Sequence, residues 1–308
     1  MQSITNTRQI DRTDYAPFLW RRDRSNANME TPLPEKFRTM LSPLSAPPEK
    51  YALDASYQPS LQGFHSLNAS GSGQFVRHQL RALASEIRQM TDGRIFIVDL
   101  RQESHFFLNE LPISHYGKNN WANVGLSADE IMAGEELLLS ELSGSQIEAF
   151  VLKQKTKEPY EPVTIRVDRA ITERELVEQE GLCYVRIPCT DHIFPETDSV
   201  EALFALTKEM EEGDWLHFHC VAGKGRSTAL FAVYDILKNP GVPLKDILYR
   251  QCMLGGNYML FQGDGGWKDP YYLGKAEMTQ KFYRYVQENH ETGYRVRWTA
   301  WLAAQGCA

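Results

Sequence analysis

The sequence lacks any long uninterrupted run of apolar residues, and this absence excludes a membrane-spanning helix. Such a helix needs roughly 18 consecutive apolar residues, and no run among these 308 residues approaches that length. Basic residues are also in the minority, because 33 Lys and Arg stand against 40 Asp and Glu, for a formal net charge of -7. A general nucleic-acid binder normally carries a basic excess, so that class is disfavoured. A small phosphorylated ligand in a local basic pocket stays compatible with this composition.

Cysteine is scarce, and its pattern excludes two further classes of protein. The chain has five cysteines, at positions 183, 189, 220, 252 and 307. Their irregular spacing does not form a disulfide framework, and no C-x-x-C pair indicates a zinc site. Because the number is odd, at least one thiol is unpaired and available for other chemistry.

What the sequence does contain is an alternation of apolar strands and amphipathic helices. The proline-rich residues from 1 to about 60 predict an extended arm, and the small residues 68–73 predict a loop. The pattern then predicts a helix over 77–90, a strand over 94–98, a helix over 172–181, a strand over 182–187, a helix from 198 and a strand over 215–219. This alternation favours an α/β fold with a mostly parallel central sheet flanked by helices. Ligands of such sheets bind at the carboxyl ends of the strands.

Between residues 102 and 168 the character of the sequence changes. Turns rich in Gly and Asn are followed by a helix that opens at Ser127, with Glu130 in capping-box relation, and by an alternating run over 163–167. We interpret this stretch as a small inserted β-rich subdomain. The predicted organisation is residues 1–101 for the arm and the first part of the main domain, 102–168 for the insert, and 169–308 for the rest of the main domain.

The strongest motif directly follows the strand predicted over 215–219. It reads His-Cys-Val-Ala-Gly-Lys-Gly-Arg-Ser-Thr over residues 219–228, and a match of this kind has a chance on the order of one in 100,000. Glycines at 223 and 225 let the backbone curl so that successive N–H groups point inward, and the following helix adds its positive end. The predicted result is a cradle for a phosphate dianion, built from Val221, Ala222, Gly223, Lys224 and Gly225.

The side chains around this cradle predict phosphoryl transfer to sulfur. The field of the loop stabilises the thiolate form of Cys220, which makes this residue a candidate nucleophile. Arg226 is a planar fork that can hold two phosphate oxygens, and Ser227 can donate a hydrogen bond to the sulfur. His219 is expected to order the loop by hydrogen bonding. The alternative for Cys220 is a buried inert thiol, as most cysteines are.

Cleavage of a phosphate ester by a thiolate also needs an acid for the leaving alkoxide. Asp191 is the best candidate, because it lies just past the strand predicted over 182–187 and therefore at the same sheet edge. His192 is an alternative acid, or it tunes Asp191. An aspartate that simply caps a surface turn is the remaining interpretation.

Taken together, these motifs resemble a known family. The loop from Cys220 to Arg226 resembles that of the cysteine-based protein tyrosine phosphatases, and the chain is more specifically similar to the bacterial phytases of the protein tyrosine phosphatase-like class. The resemblance rests on residues 99–105, 121–123, 190–192, 215–228 and 282–289. It implies a phosphatase domain with a small inserted partial β-barrel, and removal of phosphates from myo-inositol hexakisphosphate without a metal or other cofactor.

The resemblance also implies roles for residues outside the loop. His192 would touch substrate phosphates, and further phosphates would be bound by Arg38, Lys157, Lys268, Tyr272 and Lys275. Each of these cations, taken singly, can equally be a plain surface residue. A cation inside the loop, Lys224, favours substrates with several phosphates. One departure from the family pattern is Asn120, where an acidic residue is expected.

Three questions stay open from the sequence. A phosphotyrosine or phosphoinositide phosphatase is the alternative enzyme, and a phosphate-binding sensor or scaffold is the alternative outside enzymes. The predicted partner is a small polyphosphate, with no nucleic acid and no membrane span, and the oligomeric state is open.

The first residues lack the apolar core of a signal peptide, and family habit favours a secreted or periplasmic bacterial protein whose leader has been removed. The alternatives are a cytoplasmic protein or one translocated into a host.

Overall fold

The computed structural model describes residues 5, 10–23, 29–153 and 158–306. In chain order the strands of this part are β1 (Leu19–Arg22), β2 (Arg38–Thr39), β3 (Ala69–Ser72), β4 (Ile95–Arg101), β5 (His105–Leu108), β6 (Leu111–Tyr116), β7 (Gln146–Leu152), β8 (Pro159–Arg166), β9 (Ala170–Ile171), β10 (Cys183–Cys189) and β11 (Trp215–His219). The α-helices are α1 (Arg77–Arg88), α2 (Ala128–Leu142), α3 (Glu173–Gln179), α4 (Thr197–Glu209), α5 (Gly225–Lys238), α6 (Leu244–Met253), α7 (Asp269–Asn289) and α8 (Trp298–Ala304). None of these helices combines the length and apolarity that crossing a bilayer demands.

The larger hydrophobic core surrounds a five-stranded sheet in the order β10-β4-β11-β3-β2. The first four strands are parallel, and β2 pairs antiparallel with β3. The mostly parallel α/β sheet predicted from the sequence is therefore confirmed. Because β4, β10 and β11 run the same way, their carboxyl ends meet at one edge, where the functional motifs begin.

One strand of this sheet was not expected, because residues 69–72 were predicted to lie in a loop. They form β3, which is fully buried between β11 and β2. Small residues are needed here, since a Cβ on Gly71 would lie 3.2 Å from the carbonyl oxygen of Phe218. The hydroxyls of Ser70 and Ser72 lie 2.8 and 2.9 Å from the two ring nitrogens of His217. Pairing with neighbouring strands outweighs the weak strand propensity of these residues.

A second sheet has six strands in the order β8-β7-β1-β6-β5-β9 and its own smaller core. Residues 19–22, predicted as part of an extended arm, form β1 in the middle of this sheet, antiparallel to β6 and parallel to β7. Strand β9 likewise lies just beyond the 102–168 segment. The domain boundaries drawn from the sequence stay a prediction, but this sheet takes strands from both sides of them.

Candidate active site

The turn from β11 into α5, residues 220–226, is the phosphate loop. Gly223 has a φ of +66°, and a Cβ there would lie 2.4 Å from the backbone nitrogen of Gly73. The loop therefore packs directly on the chain that leaves β3, and only glycine fits. Two of its carbonyl oxygens are held from outside, since Gly223 accepts a hydrogen bond from Arg38 at 2.8 Å and Val221 accepts one from the backbone of Gln74 at 3.1 Å.

The thiol of Cys220 lies at the base of the phosphate loop and is 3% exposed. The hydroxyl of Ser227, in the first turn of α5, donates a hydrogen bond to its Sγ at 3.2 Å. Arg38 is buried beside the loop, where it donates to the carbonyl oxygen of Gly223. Burial lowers the pKa of Arg38 to about 10, although the nearby Cys220 acts to raise it. The sulfur thus has a hydrogen-bond donor at 3.2 Å and a buried cation nearby.

Arg226 is oriented by a carboxylate that carried no role in the sequence-based prediction. Glu103 accepts hydrogen bonds from the guanidinium of Arg226 at 2.5 and 3.1 Å, and both side chains are buried. Burial alone would lower the pKa of Arg226, but Glu103 and then Asp191 hold it well above its usual value. The available signal was position, because Glu103 follows the carboxyl end of β4 and therefore reaches the same edge as the motif.

Asp191 faces the phosphate loop from the end of β10. One of its oxygens lies 3.8 Å from the NH2 nitrogen of Arg226, and its main chain is fixed by a hydrogen bond from the indole of Trp121 at 3.1 Å. Burial raises the pKa of Asp191, but the stronger combined effect of His192, Arg226 and Lys268 lowers it to about 2. Asp191 is therefore ionised at neutral pH while no substrate is bound.

His192 lies at the mouth of the site in a left-handed backbone conformation, with a φ of +78°. Burial lowers the pKa of His192 to about 4, despite the opposing effect of Asp191. The imidazole is therefore neutral at mildly acidic to neutral pH. Its ring packs edge-on against Trp267, at 5.3 Å between centroids.

Helix α7 brings further cations to the Asp191 side of the loop. Lys275 is 6% exposed, and burial lowers the pKa of Lys275 to about 8, opposed by Asp191 and Cys220. Lys268 precedes the helix, with its ammonium 5.2 Å from the ring centroid of Trp267. Tyr272 lies between them in sequence and packs against Phe261.

Two further predicted ligands remain, Lys224 and Lys157, together with Asn120, the residue that departs from the family pattern. Lys224 is exposed on the loop; partial burial lowers the pKa of Lys224, as do the nearby Lys36 and Lys50. Lys157 lies outside the described residues. Asn120 is buried and accepts a hydrogen bond from Arg21 at 3.1 Å.

The hydrogen bonds predicted between the ring of His219 and the phosphate loop are not found among the described residues. Its Nε2 lies 2.7 Å from a carboxylate oxygen of Glu173, and neither ring nitrogen hydrogen-bonds to the loop in the described part of the chain. His219 is the last residue of β11, and its ring lies on the same face of the strand as that of His217, at 6.4 Å between centroids. The predicted hydrogen bonding of the loop by this ring is therefore replaced by contact with Glu173.

Glu173 belongs to a buried group whose atoms could in principle surround a metal ion. Ligand atoms of Asp99, His105 and Glu173 lie within 4.8 Å of one another. Asp99, however, already pairs with Arg186 at 3.2 Å. Burial and Arg101 lower the pKa of His105, but Asp99 outweighs them and the pKa of His105 rises to about 9. The group is a cluster of close ion pairs, in which Nε2 of His105 lies 3.2 Å from Asp99 and 3.4 Å from Glu173.

Comparison with known proteins finds similarity to the PTP-like phytases, the family that the sequence motifs resemble. Residues 98–238 match the family model named PTP-like phytase, whose description consists of the words "Inositol hexakisphosphate". A solved structure of the PTP-like myo-inositol phosphatase from Mitsuokella multacida, in complex with myo-inositol-(1,3,4,5)-tetrakisphosphate, is 39% identical with a TM-score of 0.87, covering 94% of this chain and 50% of that one. A PTP-like phytase from Bdellovibrio bacteriovorus is 27% identical with a TM-score of 0.70 and covers 98% of both chains.

Among curated relatives, effector protein hopD2 of Pseudomonas syringae pv. tomato is 29% identical over 219 residues, or 68% of this chain and 46% of that protein. The chain thus spans about half the length of this relative and of the Mitsuokella protein. These similarities confirm the predicted family and fold class, and they support the predicted class of enzyme, a cysteine-dependent phosphatase.

Proposed function

Residues 98–238 match the family model of the protein tyrosine phosphatase-like phytases, and on that premise we propose that this chain hydrolyses phosphate monoesters of myo-inositol hexakisphosphate and lower inositol polyphosphates. The reaction proceeds through a phosphocysteine intermediate on Cys220 and needs no metal. The proposal is carried by one arrangement, in which a buried sulfur, a guanidinium and a carboxylate converge on one glycine-containing loop at a sheet edge.

In the first step, the thiolate of Cys220 attacks the phosphorus of a bound phosphate monoester. The bond from phosphorus to the ester oxygen breaks, and that oxygen takes a proton from Asp191 and leaves as the inositol hydroxyl. Arg226 holds two of the phosphoryl oxygens, and the inward N–H groups of the phosphate loop hold the charge that develops on them. Glu103 fixes the plane of the guanidinium for this purpose.

In the second step, water attacks the phosphorus of the phosphocysteine. Asp191, now ionised, accepts a proton from that water, and the bond from phosphorus to sulfur breaks. The sulfur leaves as a thiolate, which the hydroxyl of Ser227 stabilises from 3.2 Å. Inorganic phosphate is released and Asp191 is protonated again for the next cycle.

Asp191 has to be protonated in the first step, although its pKa in the substrate-free site is about 2. A bound phosphate dianion changes this balance, because it takes over Arg226 and places negative charge beside the carboxyl group. Both effects raise the proton affinity of Asp191. The reaction is therefore expected to run best at mildly acidic pH.

Cations on two sides of the loop support a substrate with several phosphates. Lys268 and Lys275 lie on the Asp191 side, whereas Arg38 and Lys224 lie on the other. One phosphate fills the loop, and Arg38 already donates to the carbonyl oxygen of Gly223, so the ammonium groups of the three lysines are placed to contact further phosphates of the substrate. The inositol tetrakisphosphate complex of the Mitsuokella relative supports the same substrate class.

The decisive test is competition between phytate and a phosphotyrosine peptide, measured as kcat/KM for phosphate release at mildly acidic pH. A strong preference for phytate is expected, and a preference for the peptide would favour a phosphotyrosine phosphatase. Cys220→Ser serves as the matched variant, because it should abolish turnover and phosphoenzyme formation while leaving phytate binding measurable. Full activity in that variant would end the proposal, and binding without any turnover in the wild type would indicate a sensor.

A further inference from the structure

A buried carboxylate behind the phosphate loop has no part in the reaction described above. Glu173 is the first residue of α3 and is 2% exposed. It lies far from Cys220 in the sequence. Both of its oxygens nevertheless meet residues that support the loop.

The first oxygen meets the residue before the nucleophile. Glu173 Oε1 lies 2.7 Å from Nε2 of His219, and both side chains are buried. Burial opposes ionisation of Glu173, but His219 and His105 outweigh it, so that the pKa of Glu173 is lowered to about 2. The carboxylate is therefore charged and lies against the imidazole at the point where β11 enters the loop.

The second oxygen meets Gln74, which touches the loop itself. Glu173 Oε2 accepts a hydrogen bond from the side-chain amide of Gln74 at 2.7 Å. The backbone N–H of Gln74 donates to the carbonyl oxygen of Val221 at 3.1 Å, and its side-chain oxygen accepts from Arg101 at 2.6 Å. The orientation of Gln74 thus links Glu173 to the second residue of the loop.

From Arg101 the contacts continue to the far end of the loop. Arg101 donates to Glu103 at 3.0 Å, and Glu103 holds Arg226. All of these side chains are buried, where charge-assisted hydrogen bonds are strong and well ordered. One carboxylate therefore bears on both ends of the segment from Cys220 to Arg226.

We propose that Glu173 is a positioning residue that keeps the phosphate loop in its anion-binding shape by holding His219 on one side and Gln74 on the other. It touches no substrate. The inference rests on the proposed function, because a positioned loop matters only if it binds a phosphoryl group. Losing such support is expected to weaken phosphate binding and turnover roughly 10- to 100-fold.

The test measures binding of inorganic phosphate through the protection it gives Cys220 against iodoacetamide. The variants are Glu173→Ala and Glu173→Gln, the latter keeping the size of the side chain and an acceptor for Gln74 while removing the charge. The matched control is Asp235→Asn, which also neutralises a buried carboxylate but one paired with Arg250, away from the loop contacts. Thermal unfolding is followed for all variants, and binding is compared below their unfolding temperatures.

We expect weaker protection by phosphate in Glu173→Ala, an intermediate loss in Glu173→Gln, and unchanged protection in Asp235→Asn even where its unfolding temperature falls. Equal phosphate affinity in wild type and Glu173→Gln would overturn the proposal, as would an equal loss in the control at matched stability. If the wild type binds phosphate but hydrolyses no inositol phosphate, the proposed function fails while this comparison still decides the role of Glu173.

Discussion

The phosphate loop and the rim of cations around it differ in how the positions of their side chains are fixed. The rim consists of Lys224, Lys268 and Lys275. Cys220, Arg226 and Ser227 are almost completely buried, and their side chains make hydrogen bonds with other buried groups of the protein. On the rim, Lys224 is exposed, and Trp267, against which Lys268 lies, is 54% exposed. The side chains of the loop are therefore already fixed in the substrate-free protein, whereas the exposed side chains of the rim can change conformation when substrate binds.

This difference indicates which contacts determine the rate of the chemical step and which determine the affinity for one substrate over another. Groups held rigidly by buried partners act on the transition state, because they need no rearrangement when charge develops. Exposed cations contribute little individually, since water and salt screen them. Changes in the loop should therefore lower kcat, and changes on the rim should mainly raise KM.

Among variants that keep the nucleophile, the largest effect is expected from Asp191→Asn, which preserves the shape of the side chain and removes the acid. We expect kcat to fall about 10² to 10⁴-fold. The wild type should also lose activity as pH rises from mildly acidic values, because Asp191 loses the proton it must donate, and the variant should lack that decline. A pH profile of kcat for both proteins checks this, and an unaffected kcat would assign the acid to another group such as His192.

A smaller loss is expected from Gly223→Ala, which tests how tightly the loop is packed. The new Cβ would overlap the backbone after β3, so the loop has to shift, and turnover should fall roughly 100-fold. Gly144→Ala is the matched control, because Gly144 has a similar φ of +77° with nothing within 4 Å of the added atom. If both variants behave alike in turnover assays, backbone strain and not packing explains the glycine.

Lys275 stands between the two regions, because it is a rim cation that is buried. Lys275→Met should raise KM for phytate roughly tenfold, the size expected for losing a hydrogen bond to a charged group. In the wild type, binding should weaken as pH rises above about 8, since Lys275 then loses its proton. Binding measured by calorimetry across this range should show no such step in the variant, and Lys281→Met on the same helix is the control.

The smallest effect is expected from Lys224→Ala. The side chain is exposed, so its loss should cost about 0 to 1 kcal/mol and raise KM no more than a few-fold. Added salt should erase the difference from wild type, because screening removes what the exposed charge contributes. A salt-independent loss as large as that of Gly223→Ala would break the distinction between loop and rim.

The sequence predicted best what depends on neighbours along the chain. The strand from 215 to 219 appears with the predicted bounds, and the capping boxes at Ser127 and Thr172 open helices as expected. The loop motif is likewise local, since glycines, thiol and guanidinium follow one another in seven residues. Periodicity and spacing are sufficient for such features.

Features that depend on distant partners were missed or misplaced. Residues 69–72 have no strand pattern, and only their pairing with β11 and β2 makes them a strand. Glu103 gained its role from a contact across 123 positions with Arg226, and β1 joined a sheet whose other strands begin more than 80 residues later. Local composition carries no signal of such contacts.

The position of β1 has a consequence for anyone who wishes to exchange the six-stranded sheet between related proteins. Because β1 lies between β6 and β7, a graft of residues 102–168 alone would leave a gap in the middle of the transplanted sheet. Asp23, directly after β1, also pairs with Arg101 at 2.8 Å, and Arg101 donates to Glu103, the partner of Arg226. A chimaera that keeps both its architecture and its chemistry therefore has to carry the two segments together.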